Sequence, residues 1–131
     1  MEDKVIRITY NDQTNMTMLI HSEQFKNEKI MNRQIHAFVV KLGDYQNSNY
    51  LMRLNDYFLF EKELGITYLA CNSIRMVEVF DRSDWDKTCS EDTLMPNLEE
   101  LATVEGINVE KLEKYAEKEE KKEKKSKKKE K

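Results

Sequence analysis

No apolar residue follows Ala116, and the chain runs out in Lys and Glu. A segment that buries nothing cannot offset the entropy lost on ordering, so the core must be built upstream and residues 118–131 are expected to be a disordered charged tail. Roughly 115 residues remain for the body, enough for one domain with one core. A body of that size buries only about 60–65% of the surface its unfolded chain exposes, so association with itself or another protein would help it.

The same boundary divides the charge. Residues 111–131 hold eleven Lys and six Glu, a balance of +5, which leaves −8 on residues 1–110 behind an overall −3. An acidic body argues against a folded nucleic-acid platform, because affinity for phosphates rests on Lys and Arg displacing counterions. The tail is a different matter. Lys121, Lys122, Lys124, Lys125, Lys127, Lys128, Lys129 and Lys131 give residues 121–131 eight Lys against two Glu. They could hold nucleic acid weakly and without sequence preference, by point charges alone.

Upstream, short runs of branched and aromatic residues alternate with turn chemistry. Val5–Tyr10 and Met16–Ile20 flank Asn11-Asp12-Gln13-Thr14-Asn15, which reads as a hairpin. Ser22 is placed to cap a short helix over Glu23–Arg33. The nearly continuous apolar run Ile35–Leu42 reads as a buried strand, closed by Gly43-Asp44. Further strands are expected at Tyr50–Leu54 and Tyr57–Phe60, as two strands broken at Asn55-Asp56 or one bent strand, and at Ile66–Ala70 and Ser73–Phe80. Arg82–Ser90 is polar and reads as a loop, with Trp85 its sole large anchor and therefore expected to pack onto the sheet. Asn97 then caps a helix over Leu98–Val104, Gly106 stops it, and Asn108 caps a second helix from Val109. The fold class implied is α+β: a mainly antiparallel sheet or small β-barrel with a short helix, two C-terminal helices and a disordered Lys-rich tail. The domain boundaries expected are a β-rich domain over 1–90, a helical hairpin over 91–117 and the tail from 118.

Catalytic, metal and cofactor chemistry finds no foothold in the pattern. Cys71 and Cys89 form no CxxC pair and read as free thiols without a local base. His21 and His36 have no HxH or HxxxH partner and read as structural or surface residues. Asp81, Asp84 and Asp86 are dense, but Trp85 and Asp86 occupy the fifth and sixth positions from Asp81, where a calcium loop needs an oxygen ligand and Gly. Gly43, Gly65 and Gly106 are too far apart to cradle a phosphate. No catalytic residue, metal site or cofactor is therefore expected. With no run approaching a membrane span and no signal-peptide segment in MEDKVIRITY, no membrane contact is expected. The expected location is the cytoplasm, or a virion assembled there.

The aromatic residues carry the remaining expectation. Tyr45, Tyr50, Tyr57, Phe58, Phe60 and Tyr68 outnumber the interleaved Lys41, Arg53, Lys62 and Arg75 that base stacking would need, so packing and a protein interface through Tyr50, Tyr57, Phe58, Phe60, Tyr68 and Trp85 are expected instead. Ala102, Gly106, Ile107, Leu112 and Tyr115 have the spacing of a helix-turn-helix, which the segment resembles over about twenty residues. The second helix would expose Glu110, Lys111, Glu113, Lys114 and Glu117, mixed in sign where a groove-reading helix is basic. Ala70-Cys71-Asn72-Ser73-Ile74 is similar to the final strand pair of Sm-type barrels without their glycine, and Asp92-Thr93-Leu94 with the following helices looks like a LysM module without its closing strand. The function expected is a non-enzymatic assembly or binding protein, oligomeric, with a small, Lys/Asn/Ile-rich composition that suits a phage or mobile element. The alternative is a nucleic-acid-associated accessory or regulatory protein using the C-terminal helix pair and tail.

Overall fold

The computed structural model describes residues 1–60, 65–91, 96, 101–107, 114, 116–118 and 121. Its elements are β1 (Lys4–Tyr10), β2 (Asn15–Ile20), α1 (Glu28–Asp44), β3 (Leu51–Arg53), β4 (Phe58–Phe60), β5 (Tyr68–Ala70), β6 (Ile74–Asp81), α2 (Arg82–Glu91) and β7 (Ala102–Ile107). Single 3-10 turns occupy Ser22–Gln24, Leu54–Asp56 and Cys71–Ser73.

The expected hairpin forms. β1 and β2 pair antiparallel from Lys4↔Ile20 to Thr9↔Asn15. Their turn is closed by the Tyr10 N–H donating to Thr14 O at 2.9 Å, and by the Asp12 carboxylate accepting from the Thr14 N–H at 3.0 Å. Gln13 takes the left-handed conformation, φ 70°, that this tight reversal needs.

The hairpin becomes the centre of a five-stranded sheet in the order β4-β7-β2-β1-β6. Every neighbouring pair is antiparallel except β2 and β7, which run parallel. The sheet is mixed and not closed, with β4 and β6 at its edges among the described residues, so the barrel alternative does not hold. β3 and β5 form a separate two-stranded ribbon.

Two expectations fail for the same reason, that a local window does not say what a segment will pack against. Ile35–Leu42 is not a strand but the second half of α1. Met31, Ile35, Phe38 and Leu42 recur at helical spacing and are buried on one stripe, while His36 faces out. The helix starts at Glu28 rather than after Ser22, because Asn27 takes extended backbone and its side chain accepts the Ile30 N–H at 2.9 Å. Ser22 only opens a 3-10 turn. Arg82–Ser90 is likewise not a loop, since residues 82–91 form α2.

A third correction concerns the C-terminal region. Residues 102–107 are the strand β7, so the helix over Leu98–Val104, the Gly106 stop, the helical hairpin over 91–117 and the helix-turn-helix likeness fail at those residues. β7 fills the gap between β2 and β4, giving each a partner along an edge that would otherwise lie open. Thr103 and Val104 suit that slot, and Val104 is fully buried. The stretches 97–100, 108–113 and 122–131 lie outside the described residues, as do Leu112 and Tyr115. Ala116 is buried within a short helical stretch at 116–118.

Both faces of the sheet are covered. On one, Ile6, Ile8, Met18 and Ile20 meet α1, where Phe38 packs edge-on against Phe58 at 4.9 Å. On the other, α2 presses Trp85 onto Val5, Leu19 and Leu101, with Phe80 edge-on to the indole at 5.3 Å. The expected anchoring role of Trp85 is what the structure shows, carried by a helix instead of a loop.

Candidate functional site

The β3–β5 ribbon concentrates exposed apolar surface. Its register is Leu51↔Ala70, Met52↔Leu69 and Arg53↔Tyr68. Because side chains alternate across a strand, Met52 and Leu69 point inward and are buried, while Leu51, Arg53 and Tyr68 share the outer face. Leu51 is 58% exposed and Tyr68 56%. They are diagonal neighbours across the pair, close enough to act as one patch.

Short ribbons are weak alone, and this one is held at both ends. Asn55 bridges to the far strand, its Oδ1 accepting the Thr67 N–H at 2.7 Å and its Nδ2 donating to Gly65 O at 3.3 Å. The Leu54 N–H donates to Thr67 O at 2.8 Å, and the Cys71 N–H to Tyr50 O at 3.3 Å. Tyr50 stacks on Tyr45 with centroids 4.1 Å apart and rings 21° from parallel. Tyr50 is itself partly exposed, as is Ile66 just before β5. The patch is therefore apolar and presented on a braced scaffold.

The aromatic residues singled out from the sequence thus separate into two groups. Tyr50 and Tyr68 lie at the surface of the ribbon, and Phe60 is half-buried in β4. Tyr57, Phe58 and Trp85 are core residues and offer nothing to a partner: Tyr57 lies beneath α1 with its hydroxyl against the Lys41 ammonium, and Phe58 packs on Phe38. Leu51 and Ile66 were not among the expected contacts. Period-two alternation within Tyr50–Leu54 was the signal for Leu51, since either Leu51 or Met52 had to face outward. Of the tail lysines, Lys121 is exposed in a helical conformation, and Lys122, Lys124, Lys125, Lys127, Lys128, Lys129 and Lys131 lie outside the described residues.

Several titratable groups are engaged in holding the fold. Asp3 accepts from the Ser22 N–H at 2.8 Å and from Arg82 at 3.2 Å, and His21 Nδ1 lies 3.6 Å away. Burial pushes the Asp3 carboxyl up, but the Ser22 hydrogen bonds together with His21 and Arg82 outweigh it and leave the pKa below its ordinary value. Asp81 pairs with Lys4, and Arg7 grips Glu78 through two hydrogen bonds at 2.9 and 2.6 Å. Cys71 is buried, and burial raises its pKa despite a backbone hydrogen bond from Met52 and the nearby Lys41 charge, so it is a thiol at neutral pH. Cys89 donates its thiol to Pro96 O at 3.1 Å. Among the described residues no three His, Cys, Asp or Glu side chains converge as metal ligands. Among the same residues no helix is long and apolar enough to cross a membrane.

A cleft of about 220 Å³ opens between the last turns of α1 and the start of β6, lined by Val39, Leu42, Gly43, Gln46, Cys71, Ile74, Arg75, Met76 and Val77. No family model matches the chain, and no curated protein or solved structure matches it either.

Proposed function

We propose that the protein is a non-catalytic assembly protein that associates with further copies of itself through the outer face of the β3–β5 ribbon. The observation that carries this reading is Leu51 beside Tyr68, both more than half exposed on a ribbon whose inner face is locked into the core. Arg53 completes the face, and Tyr and Arg are the residue types enriched where proteins meet. The acidic balance of residues 1–110 weighs against a nucleic-acid role for the body. So does the strand at 102–107, which takes the place of the first helix of a groove-reading pair.

Sedimentation velocity at about 50 μM, where an association of about −6 kcal/mol is half-formed, tests the proposal. An oligomer is expected at both about 0.15 M and about 1 M NaCl, because apolar burial does not depend on screened charge. Leu51→Glu combined with Tyr68→Ser should give a monomer with an unchanged melting temperature. A wild-type monomer at both salts would refute the reading. If that monomer bound DNA or RNA with a steep salt dependence that removal of residues 119–131 flattened, function would pass to the lysine tail.

A further inference from the structure

Independently of the ribbon, we propose that the free edge of β6 receives an extended segment of a partner protein as an added strand, with an aliphatic side chain seated in the adjoining cleft and an Asp or Glu side chain on Arg75. Among the described residues β6 stands at the end of the sheet and pairs only with β1. It spans Ile74–Asp81, whereas β4 at the other edge is only Phe58–Phe60. Alternate residues of an edge strand turn their N–H and C=O groups outward, and such a row is a template for strand addition. Met76 and Val79, on opposite faces of that edge, are 45% and 44% exposed and would both be covered by a neighbouring strand.

The cleft supplies the side-chain pocket that an added strand needs for specificity. Val39 and Leu42 form one wall, Ile74 and Val77 the other, and Cys71 contributes to the lining. At Gly43 a Cβ would meet nothing within 4 Å, so the helix wall is set back from β6 at that position. Among the described residues Arg75 is the one charged residue lining the cleft, it is exposed, and it has no ion pair. It lies where the β1–β6 register shifts, between Tyr10↔Ile74 and Thr9↔Met76, so a bulge carries it. A lone cation at the mouth of an apolar cleft selects a carboxylate next to an aliphatic residue.

A second copy of this chain fits the edge poorly. In a two-fold pairing of β6 with β6, the acids the strand offers Arg75 are Glu78, which Arg7 already holds through two hydrogen bonds, and Asp81, which pairs with Lys4. Val77, the aliphatic neighbour of Glu78, already lines its own cleft.

The probe is a displayed library of random linear peptides of about twelve residues, selected on the full chain near physiological salt, where exposed charge pairs still act. Enriched peptides are then synthesised with both ends capped and titrated by amide NMR. They should share an aliphatic–acidic pattern and shift the amides of Ile74–Asp81 and of the last turns of α1. Gly43→Leu, which fills the cleft, and Arg75→Glu should each weaken binding about tenfold or more. Exchanging the peptide acid for Lys should restore binding to Arg75→Glu. Gly43→Ala, which favours the helix and adds one methyl to the cleft, should melt no lower than the wild type and still bind more weakly. The proposal is overturned if no peptide is enriched, if binding is unchanged in the Gly43 variants, if the shifts fall on Leu51 and Tyr68, or if a free C-terminus is required. A dimer whose interface maps to β6 would overturn it in favour of a second copy.

Discussion

Replacing Trp85 with alanine should destabilise the protein by about 3–5 kcal/mol, the usual cost of emptying a buried large aromatic site. Trp85 is fully buried and is the central side chain between α2 and the sheet, touching the cluster of Val5, Leu19 and Leu101 and the edge of Phe80. Against a total stability of about 5–15 kcal/mol, that loss is a large fraction. The indole Nε1 is buried with no hydrogen-bond partner among the described residues, and a buried donor left without one costs about 1–3 kcal/mol. Trp85→Phe removes that orphaned donor while keeping most of the apolar ring. It should therefore cost far less than alanine, within about 1.5 kcal/mol of the wild type. Urea unfolding followed by far-UV circular dichroism reads both variants without relying on the lost fluorophore. An unchanged m-value would show that the whole domain still unfolds as one unit, whereas a reduced m-value for Trp85→Ala would show that α2 has already detached. A loss below about 1 kcal/mol for alanine, or a phenylalanine variant as unstable as alanine, would refute the reasoning.

The Asp3 clamp on Ser22 and Arg82 makes Asp3→Ala costly at neutral pH, by about 1–2 kcal/mol for hydrogen bonds to a charged acceptor. Because the folded pKa of Asp3 lies below its unfolded value, that contribution is complete above the ordinary carboxylate range and is lost as the pH falls through the folded value. The gap between wild-type and Asp3→Ala urea midpoints should thus be constant from neutral to mildly acidic pH and close in stronger acid; a gap that widened in acid would contradict the assignment. Gln13→Gly should stabilise by about 0.5 kcal/mol, since Gln13 holds φ 70° at a position glycine occupies without a Cβ penalty. Calorimetry showing a lower melting temperature would refute this. Deleting residues 119–131 should leave the melting temperature nearly unchanged, because that segment has no apolar residue to contribute, and a fall of many degrees would show that it docks on the acidic body.

Much of the strand inventory was legible in the chain alone. Val5–Tyr10, Phe58–Phe60, Tyr68–Ala70 and Ile74–Asp81 are short, rich in branched and aromatic residues and bounded by turn chemistry, so each could be read locally. The burial of Trp85 was legible too, because a lone large apolar residue in a polar stretch has one favourable place to go. Ile35–Leu42 was not. Its apolar density suits a buried strand or a buried helix equally, and only Asn27 capping Ile30 and the sheet waiting beneath Met31, Ile35, Phe38 and Leu42 decided for the helix. Residues 102–107 were decided from farther away still. Strand or helix there depended on the open edges of β2 and β4, which no window around Val104 contains. The candidate surface follows the same division: the sequence listed the aromatics, but whether Tyr57 and Tyr68 face the core or the solvent depended on where α1 came to rest and which side of the ribbon it left uncovered. Alternation and turn chemistry are local and survive in a sequence, whereas the choice of covering element is a contact between distant segments and exists only once the chain has folded.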